Sequence, residues 1–227
     1  VTEAELSTVK IETKMNTATK ANTAPDLSNT VLADAVFRPM LFSTLMVRAL
    51  LNGSKTQTRR TLKDNVPLGN WDETLSKSPV KIGDIIWVRE THTYHRNYWH
   101  YRADTGSSGE ELRQEYIKSG CESAKWKPSL FMPKEACRLF LKVTNVRVER
   151  LNDISEIDAI SEGVENCRFS PRNFVCYTNK DPSVWCSNAQ RSYRSLWQKI
   201  NGNDSWDLNP WVWVYSFDRV ECPHGFR

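Results

Sequence analysis

The residues best placed for chemistry lie in Gly53-Ser-Lys55-Thr-Gln-Thr58-Arg59-Arg60. A lysine set between a helix end and a strand is held by the turn and can face a cleft. Alternation along the strand predicts Thr56, Thr58 and Arg60 on one face. The same residues also read as a solvated basic turn that complements the C-terminal helix dipole. Glu162 stands out for a different reason. It falls in the last turn of a predicted helix, where a carboxylate opposes the macrodipole by a few tenths to about 1 kcal/mol. Residues set against a local rule mark candidate sites, and a solvated surface glutamate is the alternative.

Glu90 continues the Ile86/Val88 face of a predicted buried strand, so it points toward a barrel mouth or pairs with a nearby base. His92, His95 and His100 match no common zinc spacing, and Cys167, Cys176 and Cys186 contain no chelating pair. No metal and no other cofactor is expected. Phosphate-binding glycine loops and the nucleophile elbow are absent from the sequence.

The elements that must position these residues follow from periodicity. Phe42, Leu45, Met46, Ala49 and Leu50 share one helical face, with Ser43 to cap the start and Gly53 to end it. Ile85–Val88 reads as a buried strand, Tyr94–Ala103 as another, and Gly109–Lys118 as a weak helix. In Cys137–Leu151 the apolar positions slip from odd (137, 139, 141, 143) to even (146, 148), which predicts a bulge near Thr144-Asn145. A helix over 155–162 carries Asp153-x-x-Glu156 as a capping pair. Residues 164–187 read as a loop. Tyr193, Leu196, Trp197 and Ile200 line one face of a helix over 189–201, and Pro210–Phe217 reads as a central strand. This order predicts an α+β fold around a bent, largely antiparallel β-barrel.

Composition bounds the rest. The 227 residues carry 31 basic and 27 acidic side chains, a mildly basic balance of +4. Nine Trp, seven Tyr and eight Phe exclude a wholly disordered chain. The longest uncharged apolar run, Pro39–Val47, is far short of the roughly 20 residues of a membrane span. Six Cys without a CxxC, and no readable signal peptide, suggest reduced thiols in the cytoplasm. Residues 1–36, rich in Thr and Ala and without an aromatic, read as a mobile arm, and 37–227 as one domain. Phe37–Lys63 holds six Lys/Arg and no acid, which suits a polyanion such as RNA.

Together, Gly53-x-Lys55-x-x-x-x-Arg60, Lys81-Ile-Gly83-Asp84, Trp87-Val-Arg-Glu90, Leu151-x-x-Ile-Ser-Glu-x-Asp-Ala159-x-x-Glu162-Gly163 and Trp211-Val-Trp-Val-x-x-Phe217 resemble the ASCH (activating signal cointegrator homology) domains. The resemblance spans about 37–220 and is similar in wording to the larger members carried by bacteriophages and prophages. It implies a PUA-like barrel with flanking helices and insertions near 64–80, 91–130 and 164–187. Some small members are amidohydrolases that deacetylate N4-acetylcytidine through a Lys/Thr/Glu set, which falls here on Lys55, Thr58 and Glu162. Gly53, Arg59, Arg60, Trp87, Arg89 and Glu90 are then the residues expected to bind substrate or nucleic acid.

Such a set would act without metal. Crowding by Arg59 or Arg60 and desolvation would lower the Lys55 pKa and let it serve as base. Thr58 or an activated water would attack, and Glu162 would protonate the leaving amine or position water. Two rival readings accompany this one: a non-catalytic module that binds RNA or a modified base, and a metal-dependent nuclease built on Asp84, Glu90 and Asp104.

Overall fold

The structure, a computed structural model, describes residues 36–63, 65–95, 97–104, 125–167, 170–178 and 184–226. The predicted arm at 1–36, apart from Val36, and the predicted helix at 109–118 lie outside the described residues.

Five strands form the main sheet: β1 (Phe37–Leu41), β2 (Gln57–Thr61), β3 (Ile85–Arg89), β6 (Phe140–Arg150) and β10 (Trp211–Val220). Their order is β1-β3-β6-β10-β2, with β1 and β3 parallel and every other pair antiparallel. Asn145 pairs with Ser216 and Val143 with Phe217, so Thr144 is the extra residue of a bulge, as the slip in apolar alternation predicts. The bulge keeps apolar side chains on one face along the whole of β6.

That face gathers Ile86, Val88, Leu141, Val143, Trp213, Tyr215 and Phe217 against Phe42, Val47 and Leu50. The opposite face of β10, Val212 and Val214, packs on Leu151, Ile154, Tyr193, Leu196 and Trp197. The barrel expectation needs correction. Among the described residues no ladder joins β1 to β2, so the backbone leaves the sheet open. The two edges nevertheless approach each other, because Arg60 donates from Nη2 to the Leu41 carbonyl at 2.6 Å and lies over the Phe42 ring.

Among the described residues four α-helices flank the sheet: α1 (Thr44–Leu51), α2 (Trp71–Ser76), α3 (Glu156–Ser161) and α4 (Ala189–Asn201). Ser43 caps α1 and Gly53 follows it at φ +79°, as expected. The cap of α3 is Ser155, which accepts from the Asp158 N–H at 3.1 Å; Asp153 lies one turn earlier, in a short 3₁₀ segment. Ile200 is exposed, although its spacing predicts the buried face of α4. Two smaller sheets differ from expectation. His92–His95 (β4) and Tyr98–Tyr101 (β5) form a hairpin turning at Asn97, φ +66°. The predicted loop at 164–187 contains β7 (Asn166–Cys167), β8 (Ser170–Val175) and β9 (Trp185–Cys186).

Candidate functional site

Lys55 and Glu162 meet where α1 turns into β2. Gly53 lets the chain reverse, the Lys55 N–H donates to the Ala49 carbonyl, and the Thr56 N–H donates to the Ser161 carbonyl. The end of α3 thereby lies along the outer edge of β2, with Lys55 and Glu162 in a backbone bridge. Gly163 makes this approach possible. At φ +83° a Cβ there would stand 2.6 Å from the Ala49 Cβ and 2.9 Å from the Lys55 Cβ.

Both side chains are shut off from solvent. Lys55 Nζ donates to Glu162 Oε2 at 2.7 Å, to the Gln57 carbonyl at 2.7 Å and to the Glu162 carbonyl at 2.9 Å, so its three hydrogens are all engaged. Arg59 donates from Nη1 to Glu162 Oε1 at 3.0 Å, and its other nitrogens engage Glu149 and Asp158. Arg147 ties Asp158, Glu149 and Gln57 into the same network. Burial pushes the Lys55 pKa below its ordinary value; the Glu162 carboxylate works against this, while Arg60 and Arg59 add to it. The Arg59 guanidinium stays charged despite burial because Glu162, then Tyr193 and Glu149, outweigh the desolvation. Tyr193 lies beneath it, 5.8 Å from ring centroid to Cζ.

Thr58 does not join this cluster. It pairs with Tyr215 and, like Arg60, belongs to the inner face of the sheet, whereas Gln57 and Arg59 belong to the outer one. Its hydroxyl is buried with no hydrogen-bond partner among the described residues. A common cleft for Lys55, Thr58 and Glu162 is therefore corrected to a Lys55–Glu162–Arg59 cluster with Thr58 across the strand, because the two-residue strand period separates positions of opposite parity.

A cavity of about 150 Å³ opens beside the cluster, lined by Arg59, Arg60, Met46, Tyr193 and Trp197 among others. Arg60 Nε and Trp197 Nε1 are buried donors without partners among the described residues. The wall of this small hole is mixed, polar from Arg59, Thr61 and Asn201 and apolar from Met46, Leu196 and Trp197.

Other expected site residues lie elsewhere. Trp87 packs in a separate core cluster, 5.8 Å from the Phe226 ring. Arg89 stacks over Trp87 and donates to the Leu130 carbonyl. Glu90 receives both Arg138 Nε and Nη2, at 2.8 and 3.0 Å, rather than lining a common wall with Lys55. Arg138 also holds Asp104 at 2.7 Å, so two of the three carboxylates of the nuclease reading are engaged by one guanidinium. Among the described residues no three His, Cys, Asp or Glu gather as a metal site, and no helix is long and apolar enough to cross a membrane.

No family model, curated protein or solved structure matches this chain. The site is therefore read from its own geometry. Spacing along the sequence did not mark Glu149 or Arg147, and it placed Tyr193 only on a helix face and Asp158 only within the resemblance motif, neither as a site residue. The one available signal was Arg147-x-Glu149, two charges on one strand face, beside Val214 and Val212 of the neighbouring β10.

Proposed function

We propose that this chain is a nucleobase-directed protein of the ASCH, PUA-like kind, and that it hydrolyses an N4-acylated cytosine nucleoside or a related acylated base without metal. The observation that carries this reading is the contact of Lys55 with Glu162, with burial lowering the lysine pKa, next to a cavity of nucleobase scale. Arg59 belongs both to the cavity wall and to the Glu162 ion pair, and links the two.

In this mechanism the acyl carbonyl accepts from Trp197. Arg59 swings off Glu162 to admit water. Water adds to the carbonyl carbon, and the proton it loses is taken by the Lys55–Glu162 pair. The carbon–nitrogen bond then breaks, and the same pair returns a proton to the leaving N4 amine, giving the carboxylate and the free base. Water takes the role of nucleophile because Thr58 lies on the other face of β2.

A second reading, binding of RNA or a modified base without turnover, is favoured by the saturated hydrogen bonding of Lys55 Nζ. Release of acetate from N4-acetylcytidine separates the two. Hydrolysis predicts turnover that survives EDTA and falls about 10²-fold or more in Lys55→Met and Glu162→Gln. The base must be neutral and its pKa is lowered, so activity should rise with pH and level off below the ordinary lysine value of 10.5. Tight base binding without acetate release, or a flat profile between about pH 6 and pH 9, excludes Lys55 as the general base.

A further inference from the structure

The small sheet of β7, β8 and β9 brings two thiols together. Cys186 lies in β9 opposite Phe174 of β8, and Cys176 follows Phe174 by two positions, so the two-residue strand period puts both sulfurs on one face. The thiols are in hydrogen-bond contact with each other. β8 ends at Val175, so Cys176 stands just past the ladder, where pairing with β9 no longer fixes the backbone. Both cysteines are reduced and half-buried, within reach of a small oxidant.

The same spot is where the small sheet meets α4. Ser192 Oγ donates to the Val175 carbonyl at 2.7 Å. Ser195 Oγ accepts from the Tyr177 N–H at 2.8 Å and also contacts the Cys186 thiol. Cys176 therefore sits between two residues whose backbone is tied to α4, the helix that carries Tyr193 and Trp197 to the smaller cavity. Among the described residues β8 and β9 share only two residue pairs, Phe174 with Cys186 and Val175 with Trp185. A ladder this short is weak by itself, so one covalent link changes how firmly it holds. Burial, then the neighbouring Cys176 thiol, pushes the Cys186 thiol up to about 11. A protonated thiol is a poor nucleophile, so Cys176 is the attacking sulfur and Cys186 the resolving one.

We infer that Cys176 and Cys186 form a reversible disulfide that fastens the small sheet against α4 when the chain meets a low-molecular-weight disulfide such as oxidised glutathione. The Cys176 thiolate, its proton lost to solvent, attacks one glutathione sulfur, and the other glutathione leaves as a thiolate that takes up a proton. Cys186 then displaces the remaining glutathione from Cys176, and the Cys186 proton goes to that leaving thiolate. Two protein thiols are oxidised, and one glutathione disulfide is reduced to two thiols. Closing from thiol contact to an S–S bond of about 2 Å needs a small shift, which a residue just past the ladder allows. The link is independent of hydrolysis at Lys55 and of any ligand.

Mass spectrometry of the full chain, equilibrated in graded mixtures of reduced and oxidised glutathione, tests the link. Remaining thiols are alkylated and the chain is digested with trypsin, which cuts after Arg172, Lys180 and Arg191. Peptides 173–180 and 181–191 should come out joined at the oxidised end and separate again after dithiothreitol. Hydrogen exchange at the Val175 and Tyr177 amides should slow about tenfold or more in the linked chain, because both donate within the fastened region. In Cys186→Ser, Cys176 should carry glutathione. In Cys176→Ser, Cys186 should react at least about tenfold more slowly than Cys176 does. The proposal is overturned if the two peptides stay separate at every ratio, or if they join without slowing exchange. Equal reactivity of the two cysteines in the single variants overturns the order of attack.

Discussion

The two faces of β2 handle positive charge in opposite ways. On the outer face, Lys55 and Arg59 are buried and matched by Glu162, Glu149 and Asp158. On the inner side, Arg60 shares an open gap with Arg38, Lys63 and Lys77 and, among the described residues, has no carboxylate in contact. A buried charge is tolerable only when paired, because desolvation costs several kcal/mol per ion. The exposed Arg38, Lys63 and Lys77 keep their water and tolerate weak pairing, whereas Arg60 is held by the Leu41 carbonyl and the Phe42 ring. The first arrangement therefore bears on stability, and the exposed cations of the second bear on it little.

Breaking the outer cluster should produce the largest effect. Glu162→Ala leaves Lys55 without its carboxylate and should cost about 3–5 kcal/mol in urea denaturation, against less than about 0.5 kcal/mol for Lys77→Ala in the gap. Comparable losses for the two would show that the regions do not differ as described.

The glycines sharpen the same comparison. Gly163→Ala meets both a left-handed φ and the Ala49 and Lys55 Cβ atoms, and should cost about 2–4 kcal/mol. Gly53 has a similar φ but open space around it, so Gly53→Ala should cost only about 1 kcal/mol. Equal losses in thermal unfolding would mean that the docking of α3 on Lys55 does not constrain the cluster.

Thr58→Val should have the smallest effect. It removes a buried hydroxyl that has no partner and keeps the shape, so stability should hold or rise by up to about 1 kcal/mol. Acetate release should persist if water is the nucleophile. Loss of release with a preserved fold would return Thr58 to the reacting atoms and overturn its separation from Lys55.

Much of the local structure was legible in the chain. The limits of α4, the cap and stop of α1 and the bulge at Thr144 all follow from contacts within a few residues or from the two-residue strand period, which sequence order records directly. The candidate pair was half legible. Lys55 was marked by its turn and Glu162 by its place against the helix dipole, but their bridge spans 107 positions and depends on Gly163 admitting α1. Thr58 shows where spacing misleads. Three positions along a strand reverse the face, so being near Lys55 in sequence put it across the sheet.

Glu90 and Trp87 were drawn to the wrong neighbourhood for a related reason. A strand's periodicity tells that a residue is buried, and only the packing of other segments tells against what: Arg138 for one, Phe226 for the other. The basic stretch 37–63 was visible as charge. Its division into a neutralised cluster and a weakly compensated gap was settled by the fold, because carboxylates from β6, α3 and its C-terminal end reach one face of β2, and among the described residues the gap's cations meet only Asp84, on Arg38.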